Sequence, residues 1–258
     1  MGVLPARAGR ARARLRRRRR GTRPGGPGVS SPQALRRAVV AEFFGTAFLL
    51  ATVVGSGIMG ERLAGGNTAI ALLANSLATG GALICLIAAL GPISGAHFNP
   101  AVSLADAVRR RLAWRAVPAY IGAQLLGALV GVAVADAMFG LPLFFPSHHA
   151  RTGGAQWLAE FVATFGLLLV IWGCARFRSN VIPFAVAAYI VAAYWFTSST
   201  SFANPAVTIA RSLTDTFAGI RPLDVAPFIV AQLLGAIAAT SLARWLETPS
   251  TEIAHDIP

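Results

Sequence analysis

The sequence contains no lysine, and charged residues of every type are scarce. Only 13% of its 258 residues are charged and 55% are hydrophobic, whereas soluble domains carry roughly 25% charged residues. This balance indicates a chain that lies mostly in lipid. Cysteine is also scarce: Cys85 and Cys174 both lie in or beside apolar stretches. Two such residues provide neither a disulfide framework nor the spacing of metal ligands.

Acidic residues are absent from the first 34 positions, which hold ten of the 23 arginines. The rest of the chain carries a net charge of only +3, because 13 arginines stand against 10 acidic residues. We predict that residues 1–34 form a disordered cytoplasmic tail, since an Arg-rich segment of this kind cannot bury a core. Attraction to anionic lipid headgroups is the functional alternative. A nucleic-acid partner is not expected of a chain dominated by apolar spans.

Six apolar stretches are long enough to cross a bilayer, which takes about 20 helical residues. They cover approximately residues 38–59, 69–90, 116–137, 155–175, 181–200 and 225–244. If the N-terminus lies inside, nine of the arginines after the tail are cytoplasmic and four are not. The positive-inside rule therefore predicts a multi-pass protein of the plasma membrane with both termini in the cytoplasm. Residues 247–258 would form the C-terminal tail.

Three short strings occur twice, in the same order. They are Ala41-Glu42-Phe43 (again at 159–161), Asn99-Pro100-Ala101-Val102 (again at 204–207) and Ala123-Gln124-Leu125-Leu126-Gly127-Ala128 (again at 231–236). The predicted channel domain, residues 35–246, thus contains repeat one at about 38–137 and repeat two at about 155–244. Each repeat has three spans, an odd number, so the second copy enters the membrane from the opposite face as an inverted repeat.

Each Asn-Pro-Ala string is followed by an apolar segment that is too short to cross the membrane, residues 102–108 and 207–213. Such segments predict re-entrant half-helices, since irregular backbone is tolerated at membrane depth only inside protein or beside water. Asn is a favoured N-cap, and proline suits the first helical position. The predicted fold is therefore all-α, with six transmembrane helices and two half-helices that meet tip to tip. The residues predicted at the pore centre are Asn99, Pro100, Ala101, Asn204, Pro205 and Ala206.

The string from Ser94 to Val102, Ser-Gly-Ala-His-Phe-Asn-Pro-Ala-Val, resembles the first signature loop of the aquaporin (major intrinsic protein) family. The resemblance covers about residues 38–246 and implies a homotetramer with one pore per subunit for water and small neutral solutes. Glu42 and Glu160 match buried family glutamates, and we expect each to accept bonds from a re-entrant loop. His97 is expected to support its loop, and no metal or cofactor is expected. The sequence shows no nucleophile–base pattern, so no enzyme is proposed.

The sequence departs from the family at Val207, where most members have an arginine three residues after the second Asn. Counted as in the family, the other constriction positions are Thr79, Ala192 and Ser201, and four small uncharged residues imply an unusually wide constriction. Arg211 has two interpretations. It either partly replaces the missing charge at the outer vestibule or forms a surface ion pair with Asp215, four residues further on.

The segment from Asn204 to Ser212, followed by Thr216-Phe-Ala-Gly, resembles a bacterial subgroup associated with arsenic-resistance systems. That resemblance implies arsenous acid or methylated arsenicals as solutes, and arsenous acid is neutral at pH 7 and comparable in size to glycerol. A water-selective channel and a proton-coupled secondary transporter are the alternatives. The first requires a narrow constriction, and the second requires ionisable coupling residues deep in the core.

Overall fold

The computed structural model describes residues 31–247, and this part of the chain contains six helices that are long and apolar enough to span a membrane. These are α1 Pro32–Leu63, α2 Thr68–Ser94, α4 Val117–Met138, α5 Gly154–Phe177, α6 Ile182–Phe196 and α8 Pro222–Glu247. Two short helices, α3 Pro100–Val108 and α7 Pro205–Arg211, follow α2 and α6. The predicted all-α class with six spans is confirmed.

Helix α1 begins earlier than the sequence analysis predicted. The Ser31 hydroxyl accepts a hydrogen bond from the Ala34 N–H at 3.1 Å, and Pro32 occupies the first helical turn, where proline is well tolerated. The boundary predicted at residue 34 is therefore wrong by about one turn. The remainder of the predicted N-terminal tail, and the C-terminal tail beyond Glu247, lie outside the described residues.

The short helices α3 and α7 begin in the same way. The Asn99 side-chain oxygen accepts a bond from the Ala101 N–H at 2.9 Å, and the Asn204 oxygen accepts one from the Ala206 N–H at 3.0 Å. In both helices proline follows the cap directly. Helix α7 ends at Arg211, two residues before the predicted end at 213.

Both halves contain the same close contact between helices. Helix α1 packs along α4, and α5 packs along α8. A Cβ atom on Gly127 would lie 2.3 Å from the carbonyl oxygen of Phe43, and one on Gly235 would lie 2.4 Å from that of Phe161. Real Cβ atoms essentially never approach other atoms this closely. The glycine of the repeated Ala-Gln-Leu-Leu-Gly-Ala string is therefore explained by helix packing.

We expect Gly127→Ala to lower the free energy of unfolding by about 1–3 kcal/mol, because overpacking forces backbone to move. The matched control is Gly122→Ala on the same helix, where an added Cβ would meet no atom within 4 Å. The control should be neutral or slightly stabilising, since alanine favours a helix over glycine. Thermal unfolding in detergent, followed by size-exclusion chromatography, would measure both. Equal midpoints for the two variants would contradict the packing explanation.

The outer surface of the helices is apolar. Leu126 of the repeated string is 60% exposed and its counterpart Leu234 is 54% exposed, whereas Gln124 and Gln232 are fully buried. The string thus presents leucine to the outside of the bundle and glutamine to the inside. Exposed leucine is expected where lipid or a neighbouring subunit replaces water.

Candidate functional site

The two Asn caps bond to each other's loops. The Asn99 side-chain N–H₂ donates to the carbonyl oxygen of Ala203 at 2.7 Å, and that of Asn204 donates to the carbonyl oxygen of Phe98 at 2.7 Å. These reciprocal bonds hold the tips of α3 and α7 together. Each amide carries two N–H hydrogens, so this bond uses one donor of each Asn and does not use the other.

A buried carboxylate supports the first loop. Glu42 is fully buried, and its oxygens accept bonds from the backbone N–H groups of His97 at 2.9 Å and Phe98 at 2.6 Å. The Ser94 hydroxyl and the Gln124 amide also donate to it, at 2.6 and 2.8 Å. These four donors satisfy a charge that would otherwise be costly to bury.

The second loop is supported in the same way. Glu160 accepts bonds from the backbone N–H groups of Phe202 and Ala203, each at 2.8 Å, and from the Gln232 amide at 2.6 Å. Gln232 also donates to Thr208 at 2.9 Å, as Gln124 does to Ser103. Sequence reasoning missed the two glutamines. The signal that could have identified them is a polar glutamine at the same position of the repeated string in two apolar spans.

Both loops place non-glycine residues in the left-handed region of backbone space, which costs of order 1–3 kcal/mol per residue. Counted from the two Asn residues, the strained positions correspond between the halves. They are Ala96, Phe98, Ser201 and Ala203, with φ of 50°, 49°, 52° and 48°, and Thr200 at 59°, which corresponds to Gly95 at 90°. The bonds to the buried glutamates hold this backbone in place, so the two loops are one conformation used twice.

A cavity of about 760 Å³ runs past the tips of both half-helices. Its wall includes Ser179 and Asn180, between α5 and α6, and then both Asn caps. Beyond the caps it is lined by Val207 and, one helical turn further along α7, by Arg211. The side chains brought together along this path are mostly uncharged.

Three of the four predicted constriction residues lie on this cavity, and the fourth does not. Thr79, Ser201 and Val207 line it. Ala192 is exposed on the outside of the bundle and is not among the lining residues, so its assignment is wrong. Tyr194 takes its place: it is 3% exposed, and its hydroxyl lies 3.3 Å from the Thr79 hydroxyl. Residues two apart on an α-helix point about 200° apart, which explains the error.

The Tyr194 ring changes the character of the constriction. The four small residues of the prediction would have formed a uniformly wide ring, whereas the observed wall has one aromatic side. Tyr194 and Thr79 contribute hydroxyl groups, whereas Val207 contributes an apolar surface. The cavity wall at the predicted constriction therefore combines hydrogen-bonding and apolar surface.

His97 is held by its own loop and half-helix. Its Nδ1 lies 3.0 Å from the Ser103 hydroxyl, and its Nε2 lies 3.3 Å from a carboxylate oxygen of Asp106. Asp106 in turn accepts a bond from the Trp172 indole N–H at 3.1 Å. Both ring nitrogens thus have protein partners. Within residues 31–247, no group of three or more His, Cys, Asp or Glu side chains is arranged to hold a metal.

The predicted surface ion pair between Arg211 and Asp215 is not formed. Arg211 is 2% exposed, its Nε donates to the carbonyl oxygen of Ala218, and its guanidinium lies 3.4 Å from the centre of the Phe202 ring. Asp215 instead accepts bonds from His148, at 2.8 Å from the backbone N–H and 3.0 Å from the ring. These bonds lower the pKa of the Asp215 carboxyl below its ordinary value. Asp215 does not line the cavity, and Arg211 does.

A second buried arginine, which sequence reasoning missed, lies beside Arg211. Arg151 is 8% exposed, and its guanidinium donates to the carbonyl oxygens of Gly219 at 2.8 Å and Ser199 at 3.1 Å. Burial lowers the pKa of Arg151 to about 10, so it stays protonated at neutral pH. Because its partners are carbonyls from distant loops, no local pattern in the sequence distinguishes it from other loop arginines.

The chain is similar to known proteins over most of its length. The profile of the family described as major intrinsic protein matches residues 29–196 and 176–255. The aquaglyceroporin AqpS of Rhizobium meliloti (strain 1021) is 54% identical over 219 residues, which are 85% of this chain and 94% of the relative. Aquaporin NIP1-1 of Oryza sativa subsp. japonica is 34% identical over 236 residues, with coverages of 88% and 81%.

The fold has a counterpart among solved structures. The X-ray structure of the aquaglyceroporin from Plasmodium falciparum superposes with a TM-score of 0.60, covering 81% of this chain and 95% of that one at 23% identity. The likeness at this identity concerns the fold, whereas the family follows from the profile match and from the two relatives. The chain belongs to the major intrinsic protein family of membrane channels.

Proposed function

We propose that the protein is a passive channel for water and small uncharged solutes, including glycerol-sized polyols and metalloid acids such as arsenous acid. The observation that carries the proposal is the pair of reciprocally bonded Asn caps on a cavity that passes both half-helix tips. A solute at this level can accept one hydrogen bond from Asn99 and one from Asn204. The positive N-terminal end of α3 lies at the same level and disfavours cations.

The composition of the constriction supports polyols and metalloid acids as substrates. The hydroxyls of Thr79 and Tyr194 replace hydrogen bonds that a polyhydroxylated solute loses on leaving water, and Val207 faces the carbon side of such a solute. The name of the relative from Rhizobium meliloti, aquaglyceroporin, supports water and glycerol as solutes. A solute with several hydroxyl groups and no charge suits this site better than an ion does.

Flux measurements on purified protein in proteoliposomes test this function. We expect water, glycerol and arsenous acid to cross at rates proportional to their gradients, without saturation at low millimolar concentration. A water-selective channel would pass water and exclude both larger solutes. A proton-coupled transporter would saturate and would respond to an imposed pH gradient, and either result would replace the proposal.

We also propose that the path of the solute is lined by Asn99, Asn204, Thr79, Tyr194, Ser201 and Val207. The buried tip residues Pro100, Ala101, Pro205 and Ala206 do not line the cavity and instead shape the two tips. Glu42 and Glu160 support that path without touching the solute, whereas His97 supports its loop and also lines the cavity. A homotetramer with one pore per subunit fits the apolar outer surface of the bundle, and cross-linking in native membranes would test it. The plasma membrane is the proposed location.

The distribution of arginines predicts that both termini are cytoplasmic. Cysteine labelling tests this orientation. We expect a cysteine at Glu61, which is exposed in the last turn of α1, to react with a membrane-impermeant maleimide in intact cells. A cysteine at Arg178, in the connection between α5 and α6, should react only after the cells are permeabilised. Both variants would be made with Cys85 and Cys174 replaced by serine. The reverse labelling pattern would show that the termini lie outside the cell.

A further inference from the structure

The inverted repeat places opposite charges at equivalent positions of the two half-helices. Asp106 stands seven residues after Asn99, and Arg211 stands seven residues after Asn204. Both line the cavity. In the first half the acid is paired with His97 at 3.3 Å. In the second half the position equivalent to His97 is Phe202, whose ring lies against the Arg211 guanidinium.

Arg211 extends back toward the level of Val207. The two residues are four apart on α7 and so lie on the same face of that helix. Side chains of an α-helix lean toward its N-terminus, which for α7 is the tip at Asn204. The guanidinium lies 3.4 Å from the centre of the Phe202 ring. Phe202 follows Ser201, one of the predicted constriction residues, directly in the chain. The charge therefore lies near the constriction, although its Cα is about 6 Å further along the helix.

The charge of Arg211 is not neutralised by an acid. Within residues 31–247, no carboxylate lies within ion-pair distance of its guanidinium, and none of its recorded hydrogen bonds involves the two terminal nitrogens. The Phe202 ring offsets part of the desolvation without cancelling the charge. The neighbouring buried Arg151 adds a second positive charge, and its guanidinium carbon lies 4.9 Å from the centre of the same Phe202 ring.

We propose that Arg211 is the residue that excludes cations at the constriction, in place of the arginine that Val207 replaces. The inference rests on the proposed channel function and adds to it a determinant of selectivity. A fixed positive charge in a weakly polar passage raises the energy of a cation far more than that of a neutral solute. The small side chain of Val207 lets neutral solutes pass, and the positive charge of Arg211 excludes cations.

The test measures potassium conductance and water permeability of the same proteoliposomes. We expect Arg211→Met and Arg211→Gln to raise potassium permeability by about tenfold or more. A fixed unit charge within about 10 Å of an ion, at an effective dielectric constant of about 20, changes the Boltzmann factor of that ion by at least this factor. Water permeability should change by less than the potassium permeability. Arg211→Lys, which keeps the charge, should remain tight to potassium. Arg62→Met removes an arginine that does not line the cavity and serves as the matched control.

Two further results decide between charge and damage to the fold. The Gln variant retains a donor for the Ala218 carbonyl, so it reports on charge even if the Met variant does not reach the membrane. The double variant Val207→Arg with Arg211→Gln should restore potassium exclusion, because it returns a positive charge to the constriction one turn away. Potassium-tight Met or Gln variants with normal water flux, or a leaky Lys variant, would overturn the proposal. Failure of the channel function would appear instead in the wild type, as absence of water and glycerol flux.

Discussion

The variant Val207→Arg is expected to lower the ratio of glycerol to water permeability by on the order of tenfold or more. A narrower passage would force glycerol to give up hydrogen bonds that it makes in water, and each lost bond costs about 1–3 kcal/mol. Val207 is 5% exposed and lines the cavity. A longer side chain there would project from the first turn of α7 toward Thr79 and Tyr194. Water needs little more than its own diameter, so its permeability should fall only modestly.

Size and charge are separated by Val207→Phe, which narrows the same position without adding a charge. Stopped-flow light scattering of proteoliposomes gives both permeabilities for each variant. If both variants lower the ratio, the aperture sets the substrate range; if only the arginine does, charge sets it. The aperture interpretation is wrong if neither substitution changes the ratio, or if the wild type passes water and no larger solute.

The fold could be predicted because its determinants are repeated in the sequence. The Asn-Pro-Ala strings specify a cap, a first-turn proline and a small tip residue, and each of these requirements is local. The buried glutamates could be placed because a carboxylate inside an apolar span needs several donors, and an irregular loop supplies unpaired N–H groups. The first argument depends on residue type and spacing alone, whereas the two glutamates were located through the resemblance to the family.

The errors arose where the prediction depended on the path of a loop. Ala192 was assigned by counting back from Asn204, and that count runs through a loop whose shape the sequence does not state. An offset of two residues moved the assignment to the opposite side of α6, and Tyr194 was overlooked. The Arg211–Asp215 pair assumed helical spacing, but α7 ends at Arg211. Asp215 therefore lies on a turn, and the arginine is directed toward the cavity.

Replacing Glu42 with glutamine is expected to cause the largest loss of stability of any single substitution considered. Each carboxylate oxygen accepts two bonds: one from Ser94 and His97, the other from Phe98 and Gln124. A glutamine has one oxygen, so its N–H₂ group would face two donors whichever way the amide is turned. Each buried donor left unsatisfied costs about 1–3 kcal/mol, so we expect a loss of several kcal/mol.

The comparison with Glu160→Gln sharpens this prediction. Glu160 accepts three recorded bonds, where Glu42 accepts four, so its variant should be destabilised less. Glu61→Gln changes an exposed glutamate on α1 and should leave the unfolding temperature unchanged. Thermal unfolding in detergent orders the three variants, and water flux reports whether the loops still meet. If Glu42→Gln unfolds at the wild-type temperature, the loop does not depend on the carboxylate; if it is stable but closed to water, the glutamate acts on the solute path directly.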